Sequence, residues 1–166
     1  MLKTVATGVV FARGAYGSYF DLTNQIAVDP TLTYVIAIGN TYSQSGVTIS
    51  LGNTLTITNA GVYSLTYAIQ VSNSTASITV VTFWWRLNGV DLENSAGTNN
   101  IPQKHGALNS LLTVTEPWII NFNAGDKLQL VWQADIAGTQ VVTLPAGVVP
   151  VTPVSPGVGI FIQQLT

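Results

Sequence analysis

Within the predicted strand Val62–Val71, large apolar side chains alternate with small or polar ones at every step from Tyr63 onward. Tyr63, Leu65, Tyr67 and Ile69 would share one face of a strand, with a serine, a threonine, an alanine and a glutamine on the other. Successive side chains of a β-strand point to opposite faces, so this period of two predicts a half-buried strand. The sequence shows no helical period of useful length, which restricts the chain to an all-β fold.

Strand signals also occur in other segments, and turn residues separate them from one another. These segments are Val5–Phe11, Thr33–Ile38, Val47–Leu51, Thr54–Thr58, Ile78–Leu87, Leu108–Val114, Trp118–Phe122, Lys127–Ala134, Gln140–Leu144 and Val158–Leu165. Asn88-Gly89 is the strongest turn signal, because this dipeptide favours a two-residue hairpin. The pattern of about eleven short strands predicts one all-β domain over residues 1–166, an antiparallel β-sandwich or a barrel. Residues 1–30 would form an N-terminal strand and loop segment, and residues 145–157, with four prolines, an extended surface segment.

Few charges are available to cover the surface of this domain. Hydrophobic residues make up 47% of the chain and charged residues only 7%, whereas charges occupy roughly a quarter or more of a typical soluble surface. Much of the surface is therefore expected to lie against other subunits. A net charge of −2 without a basic cluster argues against binding to nucleic acid or to an acidic membrane surface. The chain has no cysteine, which excludes disulfides and thiol chemistry.

Candidate catalytic and metal-binding residues are sparse. His105 is the single histidine and lies in no nucleophile motif, so a solvated loop position is favoured. Asp91 and Glu93 would lie roughly 7 Å apart on one strand face, a separation that glycosidases use, but a solvated edge is the better interpretation. Asp126 and Asp135 stand alone, and only a cation shared between subunits would suit them. The sequence thus predicts no enzyme, no cofactor and no metal site.

An aromatic cluster close to the N-terminus offers one ligand-binding alternative. Tyr16, Tyr19 and Phe20 fall in a segment that looks like a loop, where exposed rings could stack on sugars. The tryptophans fall inside predicted strands, which favours a place in the core or in a subunit interface.

Three segments, in this order, carry a family resemblance. Residues 59–67 read NAGVYSLTY, residues 87–90 read LNGV and residues 122–130 read FNAGDKLQL. Their sequence and spacing resemble the complement-type, tumour-necrosis-factor-like jelly rolls over about residues 33–134. The C-terminal part departs from the animal members, because a proline-rich segment leads into residues 157–162. Ligand recognition by the animal members is therefore not carried over.

The resemblance implies a ten-stranded jelly roll that forms a compact homotrimer, with aromatic and aliphatic side chains packed about the three-fold axis. Two predicted strands, Ile78–Leu87 and Val158–Leu165, are apolar on both faces, which agrees with a second covered surface. We expect the trimer core to contain the following four side chains: Phe83, Trp85, Trp132 and Phe161.

The composition, rich in Thr, Asn and Val and nearly free of charge, resembles family variants of bacteriophages, giant viruses and spore coats. The leading hypothesis is a capsid decoration (cement) protein on the outer surface of a phage head. It would bind the major capsid protein, with the N-terminal and proline-rich segments contacting other proteins. A plausible first strand close to Met1, without a shaft repeat before it, favours decoration over a fibre tip. The alternatives are a receptor- or glycan-binding tip module of a tail or fibre, a bacterial spore or secreted surface protein, and a hydrolase that uses Asp91 or Glu93.

Overall fold

The chain is described by a computed structural model over residues 14–51 and 53–166. Sixteen strands lie in this part of the chain. They are β1 (Tyr16–Asp21), β2 (Gln25–Ile26), β3 (Tyr34–Val35), β4 (Asn40–Ser45), β5 (Val47–Ser50), β6 (Thr54–Ile57), β7 (Gly61–Asn73), β8 (Thr79–Leu87), β9 (Val90–Asp91), β10 (Gly97–Ile101), β11 (Ser110–Phe122), β12 (Lys127–Ala134), β13 (Gln140–Val141), β14 (Gly147–Val148), β15 (Val151–Thr152) and β16 (Val158–Gln164). Ten of them have four residues or more, in line with the predicted size of the jelly roll.

Two antiparallel sheets carry these strands. In the front sheet the long strands follow the order β11-β7-β16-β1-β4, and the short β13 and β2 continue beyond the end of β16. In the back sheet the order is β10-β8-β12-β6-β5, with β3 and β9 added at the margins. Consecutive long strands such as β6, β7 and β8 alternate between the sheets, as in a jelly roll. The predicted fold class is confirmed.

The core lies between the two sheets because the alternating strands turn one apolar face inward. Tyr67 of β7 contacts Phe83 and Trp85 of β8, with ring centroids 5.7 and 5.9 Å apart. Phe83 in turn stacks on Trp132 of β12 at 6.3 Å. Aromatic pairs at such distances stabilise a core beyond the burial of their area. The ring cluster thus joins the centres of both sheets.

The predicted hairpin at Asn88-Gly89 is present between β8 and β9. Both residues have positive φ angles, 52° and 84°, as a two-residue turn requires. Asn88 also reaches the next loop, since its Nδ2 donates to Asp126 Oδ1 at 2.8 Å and its Oδ1 accepts from the Lys127 amide at 2.9 Å. The turn therefore ties two loops together at one end of the sandwich.

Several strands differ from the sequence-based expectation. The predicted strands Leu108–Val114 and Trp118–Phe122 are joined in the continuous β11, which passes through Pro117. A proline fits there because β11 is an edge strand that pairs, among the described residues, with β7 alone. β1, β4 and β10 were not predicted, and the proline-rich segment contains the hairpin β14–β15. The predicted strand Val5–Phe11 lies outside the described residues, and so does the first part of the 1–30 segment.

No helix long and apolar enough to cross a membrane occurs in residues 14–51 and 53–166. Among the described residues, the buried apolar side chains that lie between the two sheets form one connected cluster.

Candidate functional site

The outer face of the front sheet is the surface with the most distinctive chemistry. Each of its long strands buries one set of side chains in the core and turns the alternate set outward. The outward residues are Tyr16, Ser18 and Phe20 on β1, Val62, Ser64, Thr66, Ala68 and Gln70 on β7, Leu111, Thr113, Thr115, Pro117, Ile119 and Asn121 on β11, and Gly159, Phe161 and Gln163 on β16. None of these side chains carries a charge. We call this surface the front face.

Phe161 occupies the middle of the front face, on β16, with half of its surface exposed (50%). Its ring leans over Gly159, where an added Cβ would lie 3.6 Å from the ring. Thr66 is its partner on the neighbouring strand β7. An aromatic side chain held in this way is a fixed apolar projection from a surface of small and hydroxyl-bearing residues.

Two depressions lie on either side of Phe161. The larger, of about 670 Å³, is lined by Tyr16, Ser64, Thr66 and Phe161 among others. The smaller, of about 290 Å³, is lined by the following six residues together with others: Phe20, Tyr42, Gln70, Ser155, Pro156 and Phe161. Their walls are aromatic rings, hydroxyls and amides, a lining suited to another apolar or neutral surface.

The aromatic cluster predicted as a ligand site is divided by the strand β1. Tyr16 and Phe20 point outward and are half-buried, whereas Tyr19 points into the core and is fully buried. The Tyr19 hydroxyl donates to the Val47 carbonyl at 2.8 Å, and burial raises the pKa of this phenol. Tyr19 therefore cannot contact a ligand, which corrects its assignment as a ligand aromatic. The segment is a strand and not a loop.

Tyr42, on β4, is the aromatic residue that the sequence reasoning missed. It is 67% exposed, and its ring stacks on Phe20 with centroids 4.1 Å apart. β4 reads NTYSQS, a polar segment without strand alternation, so no sequence pattern indicates that Tyr42 lies beside Phe20. The pair Phe20–Tyr42 forms one border of the smaller depression.

The four side chains predicted for a trimer core also separate into two groups. Phe83, Trp85 and Trp132 are at most 1% exposed and pack between the two sheets of one chain. Side chains buried in this way cannot contact another subunit, so the structure corrects their assignment to a trimer interface. Phe161 lies on the front face and remains available for such a contact.

The residues considered for catalysis lie apart from the front face. Asp91 and Glu93 are exposed beside the back sheet, and Arg86 Nε donates to Asp91 Oδ1 at 2.7 Å. This hydrogen bond is the main cause that lowers the pKa of Asp91, and a nearby Trp84 side chain adds to it. A general acid needs a raised pKa, so Asp91 is poorly suited to that role. His105 is exposed in the loop between β10 and β11.

Asp126 and Asp135, considered for a shared cation, accept hydrogen bonds within the chain. Asp126 Oδ2 accepts from the Asn123 amide at 2.8 Å, in addition to the bond from Asn88. Asp135 Oδ1 accepts from the Val80 amide at 2.7 Å and from the Thr79 hydroxyl at 2.9 Å. These carboxylates fix loops, and the described residues hold no group of three or more His, Cys, Asp or Glu side chains suited to a metal ion.

The back sheet presents a different outer surface. Trp84 of β8 is half-buried over its cross-strand neighbour Val131, which is fully buried. Arg86 and Lys127 project from the same side, on β8 and β12. The apolar part of this surface is thus covered by its own tryptophan, and two charged side chains lie on the same side of the sheet toward one end.

Comparison with solved structures identifies the fold of the chain. No family model matches the chain, and no curated protein matches its sequence. Among solved structures, the chain is similar to the crystal structure of murine APRIL, a jelly roll of the tumour-necrosis-factor family. The TM-score is 0.59 at 8% sequence identity, and the match covers 92% of this chain and 100% of the APRIL chain. The fold is therefore TNF-like, as the sequence resemblance implied.

Proposed function

We propose that the protein is a non-enzymatic structural protein that assembles as a homotrimer through the front face, and that the trimer decorates the outer surface of a phage head. The observation that carries the proposal is the front face itself, a broad sheet surface without a charged side chain and with Phe161 at its centre. Burying a charge costs several kcal/mol unless it is paired, whereas this surface can be buried without that cost.

The two sides of the front face differ in shape. On one side, the edge strand β11 presents Ile119 and Leu111, which are 72% and 45% exposed. On the other side of β7 lie the depressions beside Phe161 and the Phe20–Tyr42 pair. A contact between unlike patches of identical chains is heterologous, and it closes into a ring when the rotation fits. The TNF-like fold supports a ring of three, because TNF-like proteins assemble as homotrimers.

The role on a capsid rests on the resemblance of this nearly charge-free composition to virion variants of the family. A trimer that binds the assembled shell, and not its free subunits, would stabilise the shell by mass action. The protein needs no catalytic site for that role.

The oligomeric state gives the first test of the proposal. Sedimentation equilibrium is expected to show a species of three times the 17.6 kDa chain mass. A folded monomer that persists at micromolar concentration would contradict the trimer.

The capsid role is tested by mixing the protein with capsids of the virus that encodes it, assembled without it, followed by sedimentation and imaging. Stoichiometric binding at three-fold or quasi-three-fold positions is expected, and a folded trimer that leaves capsids bare would contradict the role.

A receptor- or glycan-binding tip is the second candidate, and one observation favours it. Tyr42 is a largely exposed ring stacked on Phe20 and next to Gln70, an arrangement that can bind a sugar by stacking and amide contacts. The two functions compete for the same surface. Saturable binding of a host saccharide to the assembled protein, lost in Tyr42→Ala, would favour the tip module.

A further inference from the structure

The proline-rich segment forms a projecting β-hairpin with an apolar tip. Strands β14 and β15 pair through Gly147 with Thr152 and through Val148 with Val151. Val148, Val149 and Val151 are 82%, 93% and 87% exposed, and Pro150 between them is exposed as well. Single exposed apolar residues are common, but three nearly bare valines at one tip form a contact surface that water solvates poorly.

The base of this hairpin is fixed to the front sheet. Leu144 and Ser155 exchange two backbone hydrogen bonds, of 2.9 and 3.0 Å. Gln70 Nε2, at the end of the front face, donates to Ser155 Oγ at 3.0 Å and to the Pro156 carbonyl at 2.7 Å. Nearer the tip, the Gly147 amide donates to Thr152 Oγ1 at 3.0 Å. The valines are therefore presented in a set arrangement, which lowers the entropy lost when they bind.

The chemistry of the tip selects the kind of surface that it fits. Residues 136–166 contain no charged side chain, so the hairpin itself brings no charge to a contact. Loops that bind bilayers usually carry tryptophan or tyrosine for the interface and lysine or arginine for anionic lipids, and residues 145–157 contain none of these. A preformed apolar cleft in a protein is the better match, because β-branched side chains on a rigid hairpin can fill it with little loss of rotamer freedom.

The hairpin also lies at one particular end of the sandwich. It is attached beside Gln70, near the last residues of β7, whereas Thr166 lies beside Gly61 at the first residue of β7. A three-fold axis would place all three hairpins at the same end of a trimer. Three tips that bind together gain strength from their raised effective concentration, even when each contact alone is weak.

We propose that the tip Val148–Val151 is the element that docks on the capsid, by insertion into an uncharged apolar cleft of the capsid protein. This inference rests on the proposed function. It adds which end of the trimer faces the shell and what chemistry the shell offers there.

The experiment compares variants of the full chain for binding to capsids assembled without the protein. Val149→Asp and Val151→Asp each place a charge on the tip, and Val90→Asp, at a 69% exposed valine in the back-sheet hairpin, is the matched control. We expect each tip variant to remain a folded trimer and to bind capsids at least about tenfold more weakly, because the cleft would have to bury an unpaired charge. The control should bind like the unchanged protein, and binding should change little between about 0.05 and 1 M salt.

Two other outcomes would contradict the docking inference, and they differ in what they say about the capsid role. If the unchanged protein binds capsids and both tip variants bind equally well, the docking inference is wrong while the capsid role stands. If the unchanged protein binds no capsids, the capsid role fails and the inference fails with it. Flotation with neutral phosphatidylcholine vesicles gives a further check, since vesicle binding that Val149→Asp abolishes would identify a bilayer as the partner and overturn the protein cleft.

Discussion

The front and back sheets of this sandwich share one core but have opposite outer surfaces. The front face is free of charge and leaves Phe161 half exposed, whereas the back sheet covers Val131 with Trp84 and carries Arg86 and Lys127 on the same side. A surface that stays in water gains from charges, and a surface that another subunit covers loses by them. This contrast supports the proposal that the front face is the assembly surface, even though both sheets have the same alternating strands.

The largest effect should come from placing a charge on the front face. Thr66→Arg puts a guanidinium next to Phe161, where a trimer would bury it without a partner, at a cost of about 3–5 kcal/mol per interface. We expect the variant to sediment as a folded monomer. Thr82→Arg makes the same change on the outer side of the back sheet and should leave both the trimer and the stability within about 0.5 kcal/mol. Equal behaviour of the two variants would remove the distinction between the faces.

Two aromatic truncations should separate the core from the front face. Trp85→Ala removes a fully buried ring and is expected to lower the free energy of unfolding by about 3–5 kcal/mol. Phe161→Ala should instead weaken trimer association by about 2 kcal/mol, as for an aromatic residue at the centre of an interface. Denaturant unfolding measures the change in the free energy of unfolding, and sedimentation equilibrium measures the change in trimer association. A Phe161→Ala protein with unchanged association would exclude this residue from the interface.

The smallest effect concerns the ion pair of the back sheet. Because Arg86 lowers the pKa of Asp91 in the folded state, the pair stabilises the fold above the unfolded pKa of about 3.9 and this contribution is lost as the pH falls through the folded pKa. The pair is largely exposed, so its contribution should be at most about 0.5 kcal/mol. Comparison of Asp91→Asn with the unchanged protein at about pH 7 and pH 3 measures it. Trimer association should not differ between them, since the pair lies away from the front face.

The core strands could be predicted because their alternation is strong. Residues 62–69 alternate between buried and less buried side chains, as their sequence indicates, and residues 127–134 do so except at Val131, which is buried on the outer face of the back sheet. The strands β4 and β10 were missed because they lie at the edges of their sheets and carry small or polar residues, so their sequences show no apolar alternation. β1 lies between β16 and β4 and carries Tyr16, Tyr19 and Phe20, but these aromatic residues fall on both faces, so its sequence also lacks a clear period of two.

The assembly residues were harder to predict, because an apolar pattern on both faces of a strand does not show which face points inward. β8 carries Phe83 and Trp85 on one face and Trp84 on the other, and only the packing of the second sheet shows that the first pair is internal. β16 is also apolar on both faces. Phe161 points outward between the buried Ile160 and Ile162, as the sequence analysis expected, and its role in a trimer remains a prediction. The hairpin β14–β15 and its apolar tip were not predicted, because the four prolines of residues 145–157 indicated an extended segment.

Pro117 has a consequence for how the protein behaves when many copies are crowded together. It interrupts the thirteen-residue edge strand β11, which is long enough to template the addition of a foreign strand. Because proline has no amide hydrogen, the row of donors that such a strand would need is broken near its middle. On the proposed shell, where many copies with few charges would lie close together, this break would hinder the pairing of edge strands into fibrils.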